Sequence, residues 1–266
     1  MNCSAVKNVI VDWLKGQLQI SGQKGFVIGI SGGVDSALVS TLCALTGHDT
    51  YVISLPIHQA PDQIKRGNDH MDWLLQGFGL NVKDFNINLT ESFEVLQNAF
   101  SEAIGEDGLA MANVRSRLRM VALYAYANHY NLLVAGTGNL VEDYGIGYFS
   151  KYGDGGVDLS PIGNLSKSQV WELAKYVGVS DEIVQAKPTD GLWADNRGDE
   201  EAIGASYPEL EWAMAYCETH EGSIGGSTEG LSEREKRVLS IYRSRHAASL
   251  HKMSPIPICK IPQIIL

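Results

Sequence analysis

The sequence predicts an α/β protein: a single domain in which a parallel sheet carries helices on both faces. Three observations support this prediction: short apolar runs of strand length, helix-period segments between them, and a glycine-rich turn after the first run. Continuous apolar runs are typical of strands buried on both faces, as in parallel sheets. Strands that alternate with helices indicate βαβ units with right-handed crossovers.

The predicted elements follow one another without an obvious linker. An amphipathic helix opens the chain, because Val6, Val9, Ile10, Trp13 and Leu14 repeat at helical spacing. The predicted strands are "GFVIGI" (25–30), 50–56, 81–87 and 131–137. The predicted helices cover 35–45, 61–75, 90–104 and 109–130, with one opening at Ser166 and a last one running from Ser232 to about Leu250.

Two irregular segments interrupt this pattern. Residues 138–164 and 185–199 are rich in glycine or polar residues and show little periodicity. Long irregular segments in compact domains are usually functional or disordered, and the aromatic residues in 138–164 argue against disorder. We expect parts of both, 144–158 and 185–199, to cover a reaction site. The apolar, proline-punctuated tail 252–266 is expected to pack on the domain or on a partner subunit.

Composition excludes several classes of function. The chain has 266 residues, a net charge of −10 and 44% hydrophobic residues, which is enough for a sizeable core. An acidic protein is a poor partner for nucleic acid, which demands clustered Lys and Arg. The four cysteines form no CxxC pair, so a zinc or redox site is not expected. Without a signal peptide or a membrane-length apolar run, the sequence predicts a cytoplasmic protein.

The stretch "GISGGVDSA" (29–37) joins a predicted strand to a predicted helix. Its glycines let backbone N–H groups approach an anion, and the helix N-terminus adds a partial positive charge. Asp35 would repel phosphate unless it holds a Mg²⁺ ion that the phosphates also touch. The lysine of a Walker A loop is absent. The alternative is a serine-capped glycine turn with no ligand.

At this loop the sequence resembles the N-type ATP pyrophosphatases, which cleave ATP between the α and β phosphates. Further segments narrow the resemblance to the NAD synthetases and follow the order seen in that family. They are "NVRSR" (113–117), "GTGNLVED" (136–143), "GYFSKYGDGGVDLSPIGNLSKSQ" (147–169), "KPTDGLW" (187–193) and "LHKM" (250–253). The resemblance covers nearly the whole chain and implies an adenine nucleotide alpha hydrolase-like, Rossmann-type fold.

The resemblance also implies an activity. Members of the family amidate deamido-NAD (nicotinic acid adenine dinucleotide) to NAD with ATP and Mg²⁺, through an NAD-adenylate, and release AMP and pyrophosphate. Glutamine-using relatives carry a nitrilase-like glutaminase domain before the synthetase region, and only one helix precedes that region here. We therefore expect one synthetase domain, 1–266, that takes free ammonia. The family further implies a homodimer.

Site residues carried over from the family fall into groups by role. The implied ATP-binding residues are Gly29, Ile30, Ser31, Gly32, Gly33, Val34, Asp35, Ser36, Thr137, Lys167 and Thr189. The implied deamido-NAD-binding residues are Arg117, Lys151, Asp158, His251 and Lys252. The implied metal ligands are Asp35 and Glu142, and the implied catalytic residues are Asp35, Lys167 and Asp158.

The residues themselves support part of this assignment. Glu142 follows a predicted strand, so it should lie at the sheet edge where open α/β sheets bind ligands. Lys167 lies in a first helical turn, where a cation is unfavourable to the helix dipole, and a phosphate ligand explains that position. Arg117 could equally be a surface side chain lying along an apolar stripe, and His251–Lys252 could complement a helix dipole.

Two departures from the commonest bacterial pattern of the family stand out. "GTGN" (136–139) replaces "GTDH", and the segment between Glu142 and Lys151 is one residue longer. Two other functions remain open at this level. One is another amidotransferase or thiolase of the N-type group, although a thiolase needs catalytic cysteines and a basic face. The other is a non-catalytic ATP-binding module, which would not need the cations beyond Thr137.

Overall fold

In a computed structural model the protein is built around a parallel sheet. The structure describes residues 1–189, 198–220 and 228–262. The four strands of the sheet are β1 (Gly25–Ile30), β2 (Asp49–Ser54), β3 (Val82–Asn86) and β4 (Leu132–Val134). They lie in the order β3-β2-β1-β4. Phe26 pairs with Thr50 on one side and with Leu133 on the other.

Helices follow or connect the strands. They are α1 (Cys3–Ser21), α2 (Val34–Ala44), α3 (Pro61–Phe78), α4 (Thr90–Asn98), α5 (Glu102–Gly105), α6 (Gly108–Tyr130), α7 (Lys167–Tyr176), α8 (Asp181–Val184), α9 (Asp199–Ile203), α10 (Tyr207–Thr219) and α11 (Glu233–Met253). A 3₁₀ turn spans Gly79–Asn81 and a π-helical turn spans Leu140–Ile146. No helix in the described ranges is long and apolar enough to cross a membrane.

Alternate residues of β1 enter two separate cores, as the pleat of a strand requires. Phe26 and Ile28 pack in the core that also contains Leu38 of α2. Val27 packs in the opposite core, with Ile53 of β2 and residues of α4 and α6. Residues 26–28 are fully buried. The prediction of a parallel sheet with helices on both faces is therefore confirmed.

A third core lies beside the sheet and supports the end of the chain. It joins the π-helical turn to α10 and α11 through Val141, Ile146, Leu210, Val238 and Leu239. Tyr207 and Leu210 of this core have no exposed surface. This core holds the segment after β4 against the last helix.

Several elements differ from the prediction. The predicted helix 90–104 is two helices, α4 and α5, because Ser101 between them takes an extended backbone with ψ 152°. The predicted strand 131–137 is the shorter β4. It begins after Asn131, because that residue adopts a left-handed conformation (φ 59°) that ends α6. Helix α10 was not predicted at all. The tail is described to residue 262, where Ile256 and Ile258 are 66% and 82% exposed and do not pack on the domain.

Candidate active site

The site lies where the chain order of the strands reverses. From β1 the chain moves outward through β2 and β3, then returns to place β4 on the other side of β1. Open α/β sheets bind ligands in the crevice outside the carboxyl ends of the strands at such a point. Residues 31–33 leave β1 there, and residues 136–139 follow β4 at the same edge, so the two loops line one crevice.

Side chains of the loop after β1 hold its shape. Ser36 Oγ donates to the carbonyl of Gly33 at 3.0 Å and accepts from the N–H of Ser31 at 3.3 Å, and Ser31 Oγ accepts from the N–H of Gly33 at 3.2 Å. Gly32 has φ 82°, and a Cβ there would meet the carbonyl oxygen of Gln63 at 2.4 Å. Only glycine fits this position, which leaves the N-terminus of α2 open to a ligand.

An ammonium ion between two carboxylates is the central feature of the site. Lys167 Nζ lies 2.7 Å from Oδ2 of Asp35 and 2.9 Å from Oε1 of Glu142. The lysine is 3% exposed. Asn139 Nδ2 donates to the other oxygen of Asp35 at 3.2 Å. The structure thus brings together three residues that the sequence assigned to metal and ATP.

Burial and the neighbouring charges act in opposite directions on the pKa values of this group. Burial alone would lower the pKa of Lys167, but the carboxylates of Asp35 and Glu142 outweigh burial and raise it. Burial acts to raise the pKa of Glu142, yet Lys167 and Tyr207 hold it below its usual value. For Asp35, burial is the larger effect and raises the pKa. Lys167 is therefore charged at neutral pH.

Tyr207 completes this group and was not predicted. Its hydroxyl donates to Glu142 Oε1 at 2.5 Å and lies 3.4 Å from Asp199 Oδ2. Lys167 Nζ lies 4.8 Å from the centre of its ring. The available signal was local: Ser206-x-x-Glu209 is a capping box that places Tyr207 at the first position of a helix.

The π-helical turn positions Glu142. Asn139 caps it by accepting the N–H of Glu142 at 3.1 Å. A π turn contains more residues than an α turn, and this one overlaps the segment that is longer than in the commonest bacterial pattern. A Cβ on Gly138 would lie 1.8 Å from Oδ2 of Asp143. Glycine in "GTGN" therefore leaves room for the carboxyl of Asp143.

Burial raises the pKa of Asp143 well above its usual value, and the neighbouring charge of Asp154 adds to the effect. Like Asp143, Asp154 was not among the predicted site residues, although it lies in the "KYGDGGVD" block. Its Oδ1 accepts from Ser116 Oγ at 2.5 Å and from the N–H of Ser150 at 3.0 Å. Asp154 therefore fixes the loop 147–156 to α6.

At the other end of the crevice, cations tie this loop to its surroundings. Arg117 Nε donates to the carbonyl of Lys151 at 3.1 Å, and Lys151 Nζ donates to the carbonyl of His251 at 2.5 Å. Lys252 Nζ donates to the carbonyls of Gly147 and, at 2.8 Å, Phe149. Burial lowers the pKa of Lys252. Four of the five residues assigned to deamido-NAD therefore meet at one place.

Asp158 is the exception. Its Oδ1 accepts from the hydroxyl of Tyr124 at 3.0 Å and its Oδ2 accepts from the N–H of Val134 at 2.8 Å. Asp158 is also absent from the wall of the crevice. In this geometry its carboxylate fastens β4, so the structure gives no support to a catalytic or substrate-binding role.

One cavity of about 970 Å³ joins the two ends of the crevice. It is lined by every other residue assigned from the sequence: the loop 29–36, Arg117, Thr137, Glu142, Lys151, Lys167, Thr189, His251 and Lys252. Part of the predicted cover, 185–199, lies outside the described residues, which resume at Gly198; the N–H of Asp199 donates to the carbonyl of Pro188 at 3.0 Å.

The residues present fit a divalent cation. Asp35 and Glu142 offer hard oxygen ligands, and Mg²⁺ binds through one or two carboxylates together with substrate phosphates. The two carboxylates already bind one cation between them, the ammonium of Lys167. In the part of the chain that the structure describes, no group of three or more His, Cys, Asp or Glu side chains forms a metal site.

Comparison with known proteins decides the family. The family model described as NAD synthase matches residues 6–255. The chain belongs to the NAD synthase family. The expectation of an NAD-forming ligase is confirmed at that level, and neither the thiolase nor the ATP-binding module is supported.

Relatives within the NAD synthase family cover most of the chain. An NH₃-dependent NAD⁺ synthetase from Carboxydothermus hydrogenoformans is 40% identical over 80% of this chain and 85% of its own length. One from Archaeoglobus fulgidus is 38% identical over 92% and 94%. The solved structure of NMN synthetase from Francisella tularensis has a TM-score of 0.81 at 29% identity and covers 99% of both chains.

Proposed function

We propose that this member of the NAD synthase family uses ATP to amidate the nicotinate carboxylate of deamido-NAD with ammonia. One observation carries the proposal: a single cavity joins the glycine-rich loop 29–36 to the cations Arg117, Lys151 and Lys252. Two anionic substrates must meet for this reaction, and bringing them together in fixed orientation lowers the barrier. An ATP-binding module would need only the first end of that cavity.

At the ATP end, the N-terminus of α2 and the loop 31–33 bind the phosphates through backbone N–H groups. Thr137 and Thr189 line the same end. Asp35 and Glu142 would hold Mg²⁺, which would neutralise charge on the leaving pyrophosphate. The positive charge of Lys167 would act on the oxygens of the same leaving pyrophosphate.

At the other end, Arg117, Lys151, His251 and Lys252 bind the dinucleotide. Arg117 and Lys252 donate to backbone carbonyls of the loop 147–151, and Lys151 of that loop donates to the carbonyl of His251, so the side chains proposed to bind the ligand also hold the loop. An acidic protein with net charge −10 needs such a local cluster to attract an anion.

The chemistry has two steps. A carboxylate oxygen of deamido-NAD attacks the α phosphorus of ATP, and the bond to the β-phosphate oxygen breaks. This gives NAD-adenylate and pyrophosphate. Ammonia then attacks the acyl carbon, the acyl–oxygen bond breaks, and AMP leaves with that oxygen while one proton passes to solvent or a carboxylate. The chain binds, orients and neutralises charge, because most of the catalysis is positioning.

Ammonia is the proposed nitrogen source. The curated relatives that are about 40% identical are named as NH₃-dependent, and the chain spans 85% or more of the two described above. In an assay with equal concentrations of ammonium and glutamine, we expect NAD to form with ammonium alone.

A second substrate deserves the same test. NMN synthetase from Francisella tularensis shares the fold over 99% of both chains at 29% identity. Amidation of nicotinate mononucleotide would use the same ATP end and the same reacting carboxylate. The two candidates differ only in the adenylyl half of the substrate, so kcat/KM with each substrate decides between them.

We also propose a homodimer in the cytoplasm. Apolar residues of α4 to α6 are exposed, among them Val95 (68%), Ile104 (48%), Leu109 (61%) and Val121 (58%). The exposed tail residues Ile256 and Ile258 offer further apolar surface. A C₂ partner would cover the same patch on both subunits. Cysteines 3, 43, 217 and 259 are free thiols, as in a reducing compartment.

The deciding experiment measures pyrophosphate and NAD together, with ATP, Mg²⁺ and ammonium chloride. We expect both products with deamido-NAD and neither without it. Pyrophosphate without NAD would mean that the acceptor step is misassigned. If no pyrophosphate forms with deamido-NAD and none forms with nicotinate mononucleotide, the proposed function is overturned.

A further inference from the structure

The ammonium of Lys167 lies where a divalent cation bound by Asp35 and Glu142 would lie. Its nitrogen is 2.7 Å from one carboxylate and 2.9 Å from the other. Mg²⁺ binds carboxylate oxygens at about 2.0–2.1 Å. An ion bound by these same two oxygens would therefore overlap the ammonium or lie directly against it.

The lysine is built into this place. Lys167 is the first residue of α7, and the Ser166–Gln169 capping box fixes the start of that helix. The side chain is 3% exposed, and the ring of Tyr207 covers its nitrogen at 4.8 Å. Lys167 is not a surface side chain that happens to reach a carboxylate.

Electrostatics make the lysine and the metal competitors. Two carboxylates carry charge −2, which the lysine reduces to −1. A divalent cation beside the ammonium would be repelled in a partly buried site, where charges are poorly screened. The repulsion disappears once the ammonium has an anion of its own. The phosphates of ATP, bound at the N-terminus of α2 beside Asp35, would supply that anion.

We propose that Lys167 takes the place of the divalent cation in the nucleotide-free protein, and that ATP releases it. This inference rests on the proposed function, since it takes Asp35 and Glu142 as the metal ligands. Lys167 is a positioning residue in the free protein: it holds the two carboxylates together until ATP arrives. The consequence is that metal binds to the protein–nucleotide complex and only weakly to the free protein.

The test uses Mn²⁺ as the probe and needs no turnover. Binding of Mn²⁺ to the free protein is measured by electron paramagnetic resonance. Binding in the presence of α,β-methylene-ATP is measured by enhancement of water proton relaxation. Lys167→Met and Lys167→Gln are compared with Lys175→Met, a matched control at an exposed position of the same helix.

We expect Lys167→Met to bind Mn²⁺ without nucleotide at least tenfold more tightly than the wild type, and Lys175→Met to behave as the wild type. Adding Glu142→Gln to Lys167→Met should abolish that gain. The wild type should form an enhanced complex only with the nucleotide analogue. The wild-type measurement needs no variant, so it tests the inference even if Lys167→Met and Lys167→Gln fail to fold.

Tight binding of Mn²⁺ to the free wild type, equal to that of Lys167→Met, would overturn the exchange and leave the metal ligands in place. Absence of an enhanced complex in every protein, with and without the analogue, would overturn the metal ligands and the exchange together. Neither result concerns formation of NAD, so a failure here is distinguishable from failure of the proposed function.

Discussion

The hydroxyl of Tyr207 lies 2.5 Å from Oε1 of Glu142, although 65 residues separate them in the chain. The tyrosine is fully buried, and its ring also faces the nitrogen of Lys167. It therefore connects α10 to Glu142 and to Lys167, the two residues that surround Asp35 with Asn139. A hydroxyl in this position orients one carboxylate oxygen and leaves the other available to a ligand.

Replacing Tyr207 with Phe tests this positioning role. A hydrogen bond to a charged group contributes about 1.5–3 kcal/mol, so we expect kcat to fall about tenfold and the dependence of rate on Mg²⁺ to shift to higher concentration. Tyr176→Phe, at a half-exposed position of α7, is the control. An unchanged Mg²⁺ dependence together with a lower Tm would show a purely structural role.

Gly138→Ala should be harmful because of Asp143. The added Cβ would lie 1.8 Å from the Asp143 carboxylate. Forcing a buried side chain to move costs about 1–3 kcal/mol, so we expect a lower Tm and weaker ATP binding. In an Asp143→Ala background the same change should cost much less. Equal losses in both backgrounds, measured as a double-mutant cycle by thermal unfolding, would contradict this linkage.

Arg117→Ala should weaken binding at one end of the cavity and leave the other end unchanged. Arg117 contacts the carbonyl of Lys151, in the loop 147–156 and not in the loop 29–36 proposed to bind ATP. We expect the KM for deamido-NAD to rise at least tenfold and the KM for ATP to change less than twofold. Arg237→Ala, at an exposed position of α11, provides the control. A parallel rise in both KM values would mean that Arg117 supports the cavity as a whole.

Buried His70 makes stability depend on pH. Burial lowers its pKa from 6.5 to about 4, and its Nε2 lies 2.9 Å from Ser40 Oγ. The folded state then binds fewer protons than the unfolded state between these values, so stability is complete above pH 6.5 and falls as pH approaches 4. From pH 7 to pH 5 the loss is about 2 kcal/mol.

His70→Gln removes this titration, while His129→Gln at an exposed position leaves it in place. Urea unfolding at pH 7 and pH 5 measures the difference. The wild type and His129→Gln should lose about 2 kcal/mol more than His70→Gln between these values. The same loss in all three proteins would show that His70 is protonated without penalty in the folded state.

The sequence predicted the sheet well and also indicated a phosphate loop, because each depends on local patterns. Fully apolar runs indicate buried strands, and glycines before a helix indicate a phosphate loop wherever they occur. The assignment of Asp35 and Glu142 to one metal came from the family resemblance, and local information agreed with it only in placing Glu142 after a strand at the same sheet edge. Lys167 was assigned from the family resemblance, and its unfavourable position in a first helical turn supported that assignment.

What the sequence did not predict depends on distant contacts. Tyr207 gains its role from a partner 65 residues away, and no local pattern marks that contact. Asp158 lies in the most family-specific block, yet its carboxylate is used by Tyr124 and Val134 in the structure. The pKa of Asp143 is raised by burial and by Asp154, which the sequence around Asp143 does not reveal.

The most direct test of the central claim follows one oxygen atom. Deamido-NAD labelled with ¹⁸O in the nicotinate carboxylate is converted with ATP and ammonium, and the AMP is analysed by mass spectrometry. If the carboxylate attacks the α phosphorus in the cavity described here, each AMP carries one carboxylate oxygen. NAD formed with unlabelled AMP, or with label in pyrophosphate, would contradict an adenylate and with it the account of how the two ends of the cavity cooperate.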